Sequence, residues 1–255
     1  MTKTVVQKPI EEQKELGEGV WAMTFIAPEI ASQAVPGQFV HMCIPGRDQP
    51  FLRRPFSLAG ADKATGKIDI LYRVVGDGTR RFSELKAGDL IDCMGPLGGG
   101  FALRGKKPLL IGGGMGIAPL VMLAKHLKTL PVALFLGARN KGEMFWPSYF
   151  PSVDGRLTVA TDDGSIGLKG NISQHLDEAL SEDAYDAIYT CGPKPMMEAV
   201  AREAKARNIF CQVSLEDRMG CGVGACLSCT FEATDGTRRK VCTDGPVFDA
   251  LEVFP

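Results

Sequence analysis

The stretch Leu109-Leu-Ile-Gly-Gly-Gly-Met-Gly-Ile-Ala-Pro-Leu120 runs from an apolar strand through a glycine-rich loop into a helix, and the character of the chain changes across it. Upstream lie short β-patterned runs punctuated by Gly, Pro and Asp: Val20 to Ala27, Gln38 to Ile44, Pro55 to Ala59, Ile68 to Val75 and Leu90 to Met94. The alternating N-terminus reads as a further strand, and one short helical segment falls around Arg80 to Lys86. This pattern predicts a small antiparallel barrel over residues 1–103. Downstream, strands at Leu109 to Gly112, Val132 to Leu136, Leu157 to Ala160, Ala187 to Cys191 and Phe210 to Val213 alternate with helices at Ile117 to Leu130, Asn171 to Leu180 and Pro195 to Arg207. That alternation predicts an α/β domain with a parallel sheet over residues 104–213. The fold class is therefore α+β multidomain, with a small C-terminal segment, 214–255, too short for a core of its own.

That last segment carries the strongest chemical signal. Cys221, Cys226, Cys229 and Cys242 are spaced C-x4-C-x2-C-x12-C within and beyond Met219-Gly-Cys-Gly-Val-Gly-Ala-Cys-Leu-Ser-Cys-Thr230. A four-residue loop followed by a two-residue step is the spacing with which plant-type ferredoxins hold a 2Fe-2S cluster through thiolates. The interleaved Gly220, Gly222 and Gly224 suit a loop that aims backbone N–H groups at sulfur. A structural zinc site usually shows two short Cys-x2-Cys knuckles, and here only Cys226 to Cys229 qualifies. Disulfides need an oxidising compartment, and the N-terminus Met1-Thr-Lys-Thr-Val-Val-Gln-Lys8 lacks the apolar core of a secretory signal. Cys43, Cys93 and Cys211 lie in strand patterns and need no function; His41, His126 and His175 are isolated, with no metal or triad spacing.

With 29 basic against 30 acidic residues and no basic run, nucleic acid is not an expected partner. Pro108 to Ala124, the longest uncharged stretch, is broken by glycines and Pro119 and makes a poor membrane span. A soluble cytoplasmic protein is the expectation.

Several loops carry phosphate-binding chemistry. Arg53-Arg-Pro-Phe-Ser57 ends a strand with a guanidinium fork suited to a pyrophosphate, and the positions after Arg54 can face a flavin ring. Leu71-Tyr-Arg73 precedes the turn Gly76-Asp-Gly-Thr79, which opens a helix where backbone N–H groups meet phosphate, or is simply a tight turn. Gly112 to Gly116 lets backbone approach a dinucleotide, although Ile117 stands where the standard fingerprint has its third glycine. Thr161 to Ser165 and Thr190-Cys-Gly-Pro193 end two later strands, at the edge where open α/β sheets bind ligands; Cys191 reads equally as a neighbour of nicotinamide or as a buried thiol. Arg139 and Lys141 are candidates for a 2′-phosphate or for ordinary surface charge.

The order Arg-Pro-Phe-Ser, Gly-Asp-Gly-Thr, Gly-Gly-Gly-x-Gly-Ile-Ala-Pro and Cys-Gly-Pro resembles the ferredoxin-NADP reductase superfamily over residues 1–213. The segment from Asp217-Arg-Met-Gly-Cys221 to Val241-Cys-Thr-Asp-Gly-Pro-Val-Phe248 resembles the electron-transfer subunits of class 1B dihydroorotate dehydrogenases. The resemblance implies an FAD-binding barrel, an NAD-binding domain and a 2Fe-2S segment ligated by Cys221, Cys226, Cys229 and Cys242. It implies FAD contacts at Arg54, Pro55, Phe56, Ser57, Leu71, Tyr72, Arg73, Gly78 and Thr79, and places Gly113, Gly114 and Cys191 near the nicotinamide nucleotide. Phe56 stands where many relatives have an aliphatic residue, which favours a backbone contact there. The implied partner is an FMN-containing, dihydroorotate-oxidising catalytic subunit, in a heterotetramer of two copies of each chain. No general base is assigned, because such a subunit positions redox groups and leaves the organic substrate to its partner.

Overall fold

The computed structural model describes residues 3–17, 19–46, 51–144, 146–151 and 156–255. They form two compact units: 1–100 with 216–231 and 239–246, and 101–215 with 232–238 and 247–255.

The first unit is built on β1 (Thr4–Gly17), β2 (Val20–Ile26), α1 (Pro28–Ala31), β3 (Phe39–Cys43), β4 (Arg54–Ala61), β5 (Lys67–Arg73), α2 (Asp77–Ser83) and β6 (Leu90–Leu97). Its strands close into an antiparallel barrel in the order β1-β2-β5-β4-β3-β6. Closure removes sheet edges, and period-two alternation sends Ile68, Ile70, Phe25, Met23, Leu58 and Ile91 into a fully buried interior. The first strand extends to Gly17 because it pairs with β2 along one half and with β6 along the other.

The second unit is built on β7 (Pro108–Gly113), α3 (Ala118–His126), β8 (Ala133–Ala138), β9 (Leu157–Thr161), β10 (Leu168–Lys169), α4 (Leu176–Ser181), β11 (Ala187–Cys191), α5 (Lys194–Ala206) and β12 (Phe210–Ser214). Strands β7 and β11 are buried along their whole length, as expected for central parallel strands covered on both faces. Helix α5 turns Met196, Met197, Val200, Ala201 and Ala204 inward at helical spacing. Among the described residues no helix is long and apolar enough to cross a membrane.

The C-terminal segment continues with β13 (Thr230–Glu232), β14 (Arg238–Lys240), β15 (Val247–Asp249) and α6 (Ala250–Val253). It is divided between the two units instead of standing as a third one. Residues 247–249 add antiparallel to β12 as the last strand of the order β10-β9-β8-β7-β11-β12-β15. The turn before them is pinned to the barrel, where Gly99 N donates to Gly245 O at 2.6 Å and Gly99 bridges Pro246.

Candidate redox-cofactor sites

The four cysteines of the C-terminal segment all belong to the barrel unit. Cys221 Sγ accepts backbone N–H bonds from Val223 (3.4 Å), Ala225 (3.3 Å) and Cys226 (3.4 Å), so its loop wraps one sulfur in donors. The exposed Cys226 is bonded to Ser228 Oγ at 3.2 Å, and this contact, with the neighbouring Cys221, lowers its thiol to about 6. Cys229 and Cys242 are buried, and Val241 N donates to Cys229 O at 3.0 Å, drawing the two cysteines together. Burial, reinforced by the adjacent Cys229 sulfur, pushes Cys242 up to about 11, so iron binding there must displace a proton.

Cys226 thus adjoins Cys221, and Cys242 adjoins Cys229, with Cys221 also acting on Cys242. Among the described residues no group of His, Cys, Asp or Glu converges as the ligands of a single ion do. Two thiolates for each of two irons is the donor set of a 2Fe-2S cluster, and the residues fit that group.

One residue of this site carries no recognisable sequence signal. His41, on β3, is wholly buried, and neither ring nitrogen makes a well-formed hydrogen bond. Burial lowers its pKa to about 4, opposed by the nearby backbone of Arg53 and Cys221, so the ring is neutral at neutral pH. Gly222 has φ +69°, and a Cβ there would stand 2.6 Å from His41 Nδ1. The loop thus rests its glycine directly on the imidazole.

The predicted flavin residues occupy the barrel strands and the start of α2. Arg54 and Pro55 stand opposite Met42 and His41 in the β4–β3 register. The Arg54 guanidinium lies against Gly78, where a Cβ would come within 2.8 Å of Cζ. Thr79 Oγ1 accepts from Val75 N (2.8 Å) and Gly76 N (3.2 Å) and donates to Gly76 O (3.0 Å), shaping the turn. The structure thus brings Arg54, Gly78 and Thr79 together. The Phe56 ring is buried edge-on against Tyr72 (5.3 Å) and Phe82 (5.2 Å), leaving its backbone as the group available to a ligand. Leu71 and Tyr72 are likewise buried, with Tyr72 OH donating to Gln13 Oε1 at 3.3 Å, whereas Ser57 and Arg73 are half-buried. Arg53 is structural: it pairs with Asp92 at 2.6 Å and donates to His41 O at 3.2 Å. If Arg54 meets a pyrophosphate, Arg54→Ala costs about 1.5–3 kcal/mol of a charge-assisted contact. The expected result is FAD affinity weaker by about 10- to 150-fold with iron content unchanged, read by flavin retention on gel filtration.

In the second unit, Gly113 ends β7, Gly114 (φ +57°) opens a short 3-10 turn, and Cys191 ends the adjacent β11. Gly112 pairs with Cys191 in register. Gly116 is the close-approach glycine: a Cβ there would come within 2.5 Å of Cys191 C and Gly192 Cα. Gly113, Gly114 and Cys191 are thereby gathered at the C-terminal edge of the sheet, where such sheets bind nucleotides, although Cys191 itself is buried. At the end of β8, Arg139 is held by Glu143, with Nε donating to Oε1 at 2.9 Å.

The residues matched by family models follow the same division. Residues 7–101 match the oxidoreductase FAD-binding domain, 110–202 the oxidoreductase NAD-binding domain, and 216–254 the iron-sulfur cluster binding domain of dihydroorotate dehydrogenase B. The chain is 39% identical over 252 residues to the dihydroorotate dehydrogenase B (NAD(+)) electron transfer subunit of Bacillus caldolyticus, covering 96% of each. It is 40% identical over 238 residues to that of Desulforamulus reducens, covering 91% of each. In the solved structure of an NADH-dependent reduced ferredoxin-NADP oxidoreductase, one chain matches with a TM-score of 0.85 at 31% identity, over 96% of this chain and 89% of that one. Barrel, parallel sheet and cysteine loop together define a flavin- and iron-sulfur-dependent oxidoreductase of the ferredoxin-reductase type. The chain belongs to the family of dihydroorotate dehydrogenase B (NAD(+)) electron transfer subunits.

Proposed function

We propose that this chain carries electrons from an FMN-containing dihydroorotate dehydrogenase subunit to NAD in pyrimidine biosynthesis, as one half of a cytoplasmic heterotetramer with two copies of each chain. The observation that carries the reading is the placement of paired cysteines and flavin strands in one compact unit, on a chain that also has a nucleotide-binding sheet. A flavin supplies the chemistry that joins the two ends, since it exchanges hydride with nicotinamide and single electrons with an iron-sulfur centre.

The protein's own contribution is positioning. Arg54 neutralises the FAD pyrophosphate, with the backbone of Gly78 and Thr79 beside it, while Pro55, Phe56, Ser57, Leu71, Tyr72 and Arg73 offer the strand surface to the flavin. Gly113 and Gly114 would admit the nicotinamide nucleotide at the sheet edge, with Cys191 beside them. Cys221, Cys226, Cys229 and Cys242 hold the irons.

Anaerobic NADH titration of the purified chain tests the relay. The flavin absorbance should bleach and the signal of a reduced 2Fe-2S centre should then appear in electron paramagnetic resonance. Bleaching without any cluster signal in an iron-loaded sample contradicts the proposal.

A further inference from the structure

The cysteine loop rests on a buried imidazole that the electron-transfer chemistry leaves unused. His41 is fully enclosed, its Nδ1 faces the left-handed Gly222, and the backbone of Cys221 and Arg53 lies within reach of the ring. Its strand register ties this contact to the flavin side: His41 pairs with Pro55 on one neighbouring strand and with Met94 on the other. Arg53 secures the main chain there by donating to His41 O. A buried polar ring whose nitrogens lack well-formed partners is costly, and an apolar side chain would serve a plain barrel core better. The uncompensated group is aimed at the loop that bears a cluster ligand.

We propose that His41 is a positioning residue for the iron-sulfur centre, its imidazole meeting the Cys221–Gly222 backbone and fixing that loop against the strand beside Arg54 and Pro55. The contact acts through the backbone next to a ligand, so it sets how Cys221 presents its sulfur and how many N–H donors that sulfur keeps. Both quantities govern the stability and potential of a thiolate-bound cluster.

The inference rests on the 2Fe-2S reading, and the test separates the two. His41→Leu removes both ring nitrogens at similar volume, whereas His41→Asn keeps a donor and an acceptor near the Nδ1 position. In the full chain loaded with FAD and cluster, the leucine variant should release iron to a chelator about 10-fold faster or more, a loss typical of removed outer-shell partners. Its cluster should also show shifted g-values and a shifted midpoint potential, while the asparagine variant stays close to the parent and both keep FAD. A leucine variant with the parent's spectrum, potential and iron-release rate overturns the proposal. So does joint loss of FAD and iron from both variants, which would make His41 a barrel-core residue. If only the leucine chain fails to fold, the asparagine variant decides: the parent's signature supports the proposal and a shifted one overturns it. A parent chain that never binds iron would instead sink the cluster reading itself.

Discussion

Cys229→Ser should strip the chain of its iron and acid-labile sulfide while leaving FAD bound. Cys229 is buried beside Cys242, within the pair whose proximity is fixed by the Val241 N to Cys229 O hydrogen bond. A serine hydroxyl there is a hard, protonated donor in place of a soft thiolate, and one lost ligand of four leaves one iron with a single protein sulfur. The proposed flavin contacts lie in β4, β5 and α2, none of which the substitution touches. NADH oxidation with an artificial acceptor should therefore persist, and transfer from the partner subunit should fall to background. Metal analysis with flavin quantitation gives the answer; full iron content in the serine variant would remove Cys229 from the ligand set. Cys226→Ser should act in the same direction, since that sulfur is paired with Cys221.

The strands and helices of both units were legible because burial imposes periodicity: Ala187 to Cys191 matches β11 end for end, and Lys194–Ala206 lies within a residue of the expected helix. Departures occur where a local contact outweighs propensity. The helix expected from Asn171 to Leu180 is interrupted at His175, because Gln174 folds back to accept from Asn171 N at 3.2 Å and the helix proper starts at Leu176. The helix expected from Ile117 begins as a 3-10 turn at Gly114, since Gly116 must pack against Gly192. Leu127 closes that helix early, with its N–H on Leu123 O.

The candidate cluster cysteines were legible because the spacing of Cys221, Cys226 and Cys229 is local. The division of residues 214–255 between two units was not, because β15 pairs with β12 through contacts that no neighbouring residue announces. The same holds for His41. Alternation marks it as a strand residue, and only the return of the chain at Gly222 shows what its ring supports. His126 and His175 are ordinary by contrast, each ring bonded to a nearby carbonyl, Met122 O and Lys169 O, at 3.0 Å. Cys93 and Cys211 fit the reading of structural thiols: both are buried, and burial raises Cys211 to about 12.

Dihydroorotate-dependent reduction of NAD should appear only when this chain is combined with the proposed FMN-containing partner. On the proposed reading each half alone lacks an end of the relay: the partner would hold the organic substrate, and this chain has the nucleotide sheet and the cysteine loop. The most direct test of the central claim is to purify the two subunits separately and follow NADH formation at saturating dihydroorotate, for each alone and for the mixture. Neither subunit alone should form NADH, the mixture should form it steadily, and Cys229→Ser in place of the parent chain should abolish that activity. Dihydroorotate oxidation by this chain alone, or undiminished NADH formation in a mixture whose variant is shown to contain no iron, would contradict it.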